Sequence, residues 1–239
     1  MTIDFAVGDR VRQLRKAGVR PPERLVEAIQ KAGVGAVQPL LALATEVELL
    51  HEDESDCYGP IHALRLLGEL PSLEIITPLM EQLPVGLEYP DEELPKMWAT
   101  DVPQIIGRIG APAIEPLWAI VDDDTKPPAR RGAALITIVY ATRIAPEQRD
   151  EVVAQLRERL NTSDDPKHRA YLVMALGDIG VRDIYATVLQ MYREGQIDQS
   201  IFPARHARQL LLTEEKQNNN VHLTFWERYD TYGPYGDEE

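Results

Sequence analysis

Five short segments of this sequence repeat one pattern, and that repetition limits the fold more than any other feature. AVQPL (36–40), IITPL (75–79) and AIEPL (113–117) share a Pro-Leu pair preceded by apolar and polar positions. VVAQL (152–156) and YATVL (185–189) hold the equivalent places without the proline. The anchor leucines Leu40, Leu79, Leu117, Leu156 and Leu189 lie 39, 38, 39 and 33 residues apart. Two residues before the proline position the column stays apolar (Val37, Ile76, Ile114, Val153, Ala186), and the next column is polar or small (Gln38, Thr77, Glu115, Ala154, Thr187). Self-similarity at such a period is the mark of a stacked-repeat architecture.

Each anchor segment has helical periodicity, as in Ile114, Leu117, Ile120 and Val121. Pro39, Pro78 and Pro116 fit a first helical turn, where a missing N–H costs little. Another apolar-periodic stretch precedes each anchor: PIHALRLLGEL, TDVPQIIGRIG, AALITIVYATRIA and YLVMALGDIG. Gly68, Gly107 and Gly177 close these stretches, and Gly110 and Gly180 suit a left-handed turn after them. The unit is therefore a helix, a tight turn, a second helix and a polar loop, with spans of 22–50, 58–85, 92–123, 127–161 and 166–194. A helix over about 5–17 precedes them and a capping helix over about 200–213 follows. One pair is too small to bury its own apolar face, so neighbours must stack into a continuous core. The fold expected is an all-α solenoid of about five helix pairs over residues 1–213, one domain, followed by an acidic, aromatic-rich tail over 214–239.

The run VPQIIGRIGAPAIEPL (102–117) resembles the HEAT-like repeats of bacterial proteins, including the short subtype named after phycobilisome lyases. The resemblance extends over roughly 22–195 and implies a right-handed solenoid. It is specific for architecture and nearly silent on function, since such repeats serve scaffolds, chaperone-like lyases and hydroxylases alike. GPIHALRLLGEL (59–70) also looks like an uncharacterised bacterial HEAT-like family that often ends in a zinc-binding cysteine motif, which this sequence lacks.

Charge narrows the partners. The formal net charge is -14, which repels a phosphate backbone unless cations are concentrated locally. Only residues 1–31 are basic, with Arg10, Arg12, Arg15, Lys16, Arg20, Arg24 and Lys31 against Asp4, Asp9, Glu23 and Glu27. The exposed column Gln38, Thr77, Glu115, Ala154, Thr187 carries no cation, unlike the cationic face by which DNA-glycosylase-like HEAT solenoids hold a duplex. Nucleic acid is not an expected partner. Nor is a membrane, because no apolar run approaches the ~20 residues a bilayer span needs. A lone cysteine, Cys57, and an N-terminus without an apolar signal core place the chain in the cytoplasm.

Chemistry finds little foothold. His51, Asp53, Asp56, Cys57 and His62 crowd together, but their spacing matches no metal-ligand set, and His62 falls on a helix beyond the acidic loop. Deoxyhypusine hydroxylases bind two irons through repeated His-Glu pairs on this scaffold. Here the helical histidines run His62-Ala63, His168-Arg169 and His206-Ala207, and His51-Glu52 sits at a helix end. Without carboxylates beside the histidines the irons lack hard ligands. The expectation is a non-catalytic chain with no metal and no cofactor.

What remains is contact surface. The loops HEDESD (51–56), EYPDEE (88–93), DDDT (122–125), NTSDD (161–165) and EGQID (194–198) would put acids along one edge, which serves solubility and would also steer a basic protein partner. The partner-binding residues expected are Gln38, Thr77, Glu115, Trp118 and Thr187 on the second helices, with Phe225, Trp226 and Tyr229 in the tail. The alternative is a chaperone-like lyase or carrier of a small apolar ligand, held by the column Leu41, Met80 and Trp118. The tail VHLTFWERYDTYGPYGDEE holds five of the fifteen aromatic residues, too many rings for a segment left in water. It should dock on the last two or three repeats, or on a second copy to give a domain-swapped homodimer.

Overall fold

A computed structural model describes residues 5–52, 55–84, 92–213 and 220–234. Among them the chain is all-helical. Its α-helices are α1 (Phe5–Arg15), α2 (Glu23–Gln30), α3 (Val37–Ala44), α4 (Gly59–Leu67), α5 (Ile76–Gln82), α6 (Glu93–Gly107), α7 (Ala111–Val121), α8 (Pro128–Ile144), α9 (Arg149–Thr162), α10 (Pro166–Asp178), α11 (Tyr185–Arg193), α12 (Ala204–Leu212) and α13 (Phe225–Tyr232). No helix among the described residues is long and apolar enough to cross a membrane.

Contacts divide the chain into two compact units, α1–α6 with α13 and α7–α12. The division falls at Gly110, inside the 92–123 pair, so that α6 belongs to one unit and α7 to the other. In the first unit α4 packs on α6 and α3 on α5, so like helices of successive pairs lie together. In the second, α8 packs on α10 and α10 on α12 in the same manner.

Missing side chains set the closeness of these contacts. A Cβ added at Gly132 of α8 would lie 2.3 Å from the Tyr171 ring, and one at Gly177 of α10 would lie 2.4 Å from Leu210. At Gly68, the residue capping α4, it would lie 2.6 Å from Ile105 of α6. Gly132 lies within its helix and Gly68 and Gly177 near helix ends, and all three let the next like helix approach. Gly110, at φ 72° and ψ -144°, adopts a conformation open to glycine alone and starts α7.

The anchors Leu40, Leu79, Leu117 and Leu156 are wholly buried. In α11 the expected register slips by one: Val188 is 1% exposed, whereas Leu189 is half-buried. Ile184, Val188 and Met191 form the buried stripe there, at the 3–4 residue spacing a helix face demands. The anchor proline also differs from expectation in one pair. Pro116 lies inside α7, where Pro112 occupies the first turn.

Candidate interaction site

The most polar buried place described in the first unit is the groove between α4 and α6, and α13 fills it. All nine residues of α4 are buried, including His62 and Arg65, each 0% exposed. From α6 come Asp101 and Gln104, both nearly as buried. The spacing of three within each pair places both members on one helix face, directed at the same groove. Glu69 and Arg108, just beyond the two helices, flank it and pair at 3.4 Å.

α13 enters through a capping box. The Thr224 hydroxyl and backbone N–H reach the Glu227 carboxylate, and the Glu227 N–H returns to Thr224. These bonds hold the Glu227 carboxyl below its ordinary range. The Phe225 N–H, unsatisfied inside its own helix, donates to Glu69 at 2.9 Å. Arg108 donates to the Leu223 carbonyl. Phe225 is 1% and Tyr229 2% exposed, one helical turn apart and in ring contact at 5.1 Å. Trp226 is half-buried, edge-on to Phe225, with the Arg20 guanidinium 4.9 Å from its ring.

Two polar chains then lock the helix. Asp101 accepts from Arg65 at 2.8 Å through one oxygen and from Arg228 at 3.1 Å through the other, while Arg228 also donates to Gln104 at 3.1 Å. Burial lowers the Arg228 pKa from its ordinary value, against the raising effect of Asp101. The second chain runs from Tyr229 to His62 to Gly18. The Gly18 carbonyl, 2.7 Å from Nε2, can only accept, so Nε2 bears the proton and Nδ1 accepts from the Tyr229 hydroxyl. Burial, with help from Arg65, lowers the His62 pKa to about 4, and burial raises that of Tyr229. Arg65 completes the cage with its guanidinium 4.6 Å from the Tyr229 ring and Nη1 donating to the Gly233 carbonyl.

The sequence-derived candidates divide three ways. Gln38, Thr77, Glu115 and Thr187 are all exposed, and Gln38 reaches Glu74 at 2.7 Å. Trp118, Leu41 and Met80 are buried; Arg159 covers the Trp118 ring at 4.0 Å. Phe225 and Tyr229 are spent on the chain's own groove, and Trp226 stays partly open. The dock itself is not where reach predicted. It lies on α4 and α6 rather than on the last two or three repeats, because Asp101 and Gln104 there supply the buried acceptors that Arg228 needs.

The residues crowded at 51–62 go separate ways. His51 pairs with Glu92, Asp56 with Arg15 at 3.0 Å, Cys57 is buried, and His62 serves the groove; Asp53 lies outside the described residues. Several loop acids have local duties. Asp122 grips Arg159 with both oxygens, Asp165 caps α10, and Asp123 and Asp198 each close a turn onto a hydroxyl residue two positions on. Sequence reasoning passed over Arg65, Asp101, Gln104 and Arg228. A signal for three of them was present: Arg65 in PIHALRLL, and Asp101 and Gln104 in ATDVPQII, interrupt apolar helical stripes, and a charge there demands a buried partner.

Comparison with known protein families, curated proteins and solved structures finds no match to this chain. The function must be argued from the site.

Proposed function

We propose that this chain is a non-catalytic protein-interaction module, a right-handed α-solenoid of HEAT-like helix pairs acting as a scaffold in the cytoplasm. The fivefold anchor pattern and the packing of like helices within each unit support the solenoid. The observation that carries the function is the column Gln38, Thr77, Glu115 and Thr187, exposed in four of the five pairs directly beside buried core positions. Polar side chains held on rigid helices, as Gln38 and Thr77 are in the first unit, suit a partner that reads neighbouring repeats within a unit. The net charge of -14 favours a basic protein and disfavours nucleic acid. Leu41, Met80 and Trp118, the column that an apolar-ligand carrier would use, are buried, which favours the scaffold reading over the carrier.

A photo-crosslinking residue placed at Gln38 or Thr77, in the native cell, tests the reading. One protein of the same identity should be captured from both positions and lost when Thr77 is changed to Arg. Capture no greater than from exposed Glu147 on the second unit would overturn it.

A further inference from the structure

We propose that the groove between α4 and α6 is a recognition site for a partner helix that ends in a carboxylate, and that α13 is its displaceable cis occupant. The proposal rests on the reading of the chain as a protein-interaction module and names the segment that it recognises. The signature is read from α13: Ser or Thr at the N-cap, an aromatic residue next, then Arg and Tyr three and four positions later, as in Thr224, Phe225, Arg228 and Tyr229.

The groove is chemically selective in a way that mere attachment does not need. Its polar groups are His62, Arg65, Asp101 and Gln104 on the two helices, with Glu69 and Arg108 at its flanks. A helix fixed only for stability is held at least as well by packed apolar side chains as by buried ion pairs. Polar partners instead choose which helix enters and in which register. Water can serve each of these groups when the groove is empty, and the apolar cost of release is confined to the surface that Phe225, Tyr229 and Pro234 cover. Docking is thus both specific and reversible.

α13 also fits the groove incompletely. Arg65 is wholly buried, and its Nη2 has no hydrogen-bond partner among the described residues, although Nε and Nη1 are engaged. The acceptor on Nη1 is a single backbone carbonyl, that of Gly233. A carboxylate at that place would bind both terminal nitrogens, the bidentate geometry in which guanidinium groups pair most strongly. Burial strengthens that gain, because a buried donor without an acceptor has lost its water for nothing. A helix finishing its chain nine residues after the N-cap, where Gly233 follows Thr224, presents such a carboxylate.

The test uses labelled peptides of residues 222–233, one with a free C-terminal acid and one with an amide. Each is titrated into the full chain and into the full chain carrying Arg228→Ala and Tyr229→Ala, which loosens α13 but leaves the floor intact. The acid should bind the variant at least about tenfold more tightly than the unaltered chain, whose own helix competes at high effective concentration. It should also bind more tightly than the amide, and Arg65→Lys should erase that difference. If the variant unfolds, Phe225→Ala takes its place. Hydrogen exchange on the unaltered chain gives a further reading: α13 amides should exchange about tenfold faster or more than those of α4. Equal binding of acid and amide, no binding to a folded variant, or α13 exchanging only in step with α4 would each overturn the proposal. Capture from Gln38 and Thr77 that persists in that event would leave the scaffold function standing.

Discussion

Arg228 of the last helix lies 3.1 Å from Asp101 of α6, with both side chains almost completely withdrawn from water. Asp101 is shared, since Arg65 occupies its other oxygen at 2.8 Å. Two buried cations therefore depend on one buried anion, and the acid is the hub of the arrangement.

Removing the hub should cost far more than removing a spoke. Asp101→Ala strands two guanidiniums and is expected to destabilise by about 3–5 kcal/mol. Arg228→Met keeps the Arg65–Asp101 pair and should cost about 1.5–3 kcal/mol, the worth of hydrogen bonds to charged groups. Urea titration followed by circular dichroism measures both. Equal losses would show that Asp101 does not bridge the two arginines.

Acid should loosen the tail. The folded His62 pKa is about 4 against an ordinary 6.5, so the unfolded chain binds the extra proton between those values. The His62 contribution is then fully present above pH 6.5 and is lost as pH falls toward 4, in total about 3 kcal/mol. The proton goes to Nδ1, which then no longer accepts from Tyr229. Urea midpoints read by Trp226 fluorescence should fall more steeply across this window in the unaltered chain than in His62→Gln. Parallel curves would remove His62 from the account. His168 in the second unit, its pKa also lowered to about 4 by burial, remains in both proteins.

Closeness of helices should be visible at one glycine. Gly177→Ala places a methyl 2.4 Å from Leu210 Cδ2 and 2.6 Å from its Cγ, so the leucine must move at its stem. Overpacking of this kind costs about 1–3 kcal/mol, partly offset by the better helix propensity of alanine. Gly35→Ala, with nothing within 4 Å, should be neutral or slightly stabilising. A melting temperature unchanged by Gly177→Ala would mean that α10 and α12 have room to spare.

Register in α11 gives a comparison between adjacent residues. Val188→Ala should destabilise more than Leu189→Ala, although leucine loses more atoms, because Val188 is buried and Leu189 is half-exposed. Leu117→Ala, at a wholly buried anchor, should cost about 2–5 kcal/mol. The reverse order at 188 and 189 would restore the spacing written in the repeat.

The helices were legible in the sequence because a buried stripe must recur at helical spacing whatever it packs against. Leu40, Leu79, Leu117 and Leu156 show this directly, and the slip at Val188 shows its limit: YATVL resembles the other anchors in letters while its helix rotates by about 100° per residue. The tail was legible in composition, since five aromatic residues in the last nineteen require burial. Its seat was not. Asp101 and Arg228 are 127 residues apart, and a pairing over that distance leaves no local trace beyond a charge standing where an apolar residue belongs.

The separation of Arg228 from Asp101, 127 residues, also has a consequence for the order in which the molecule is made. A ribosome adding about 5–20 residues each second needs roughly 6–25 s to pass from one to the other. Every newborn chain therefore displays α4 and α6 before it owns a helix to cover them. In that interval the nascent protein meets any competing helix on equal terms, without its own tail tethered nearby. A complex formed during translation would need no later displacement, and the tail helix would then act as the stopper for copies that emerged alone.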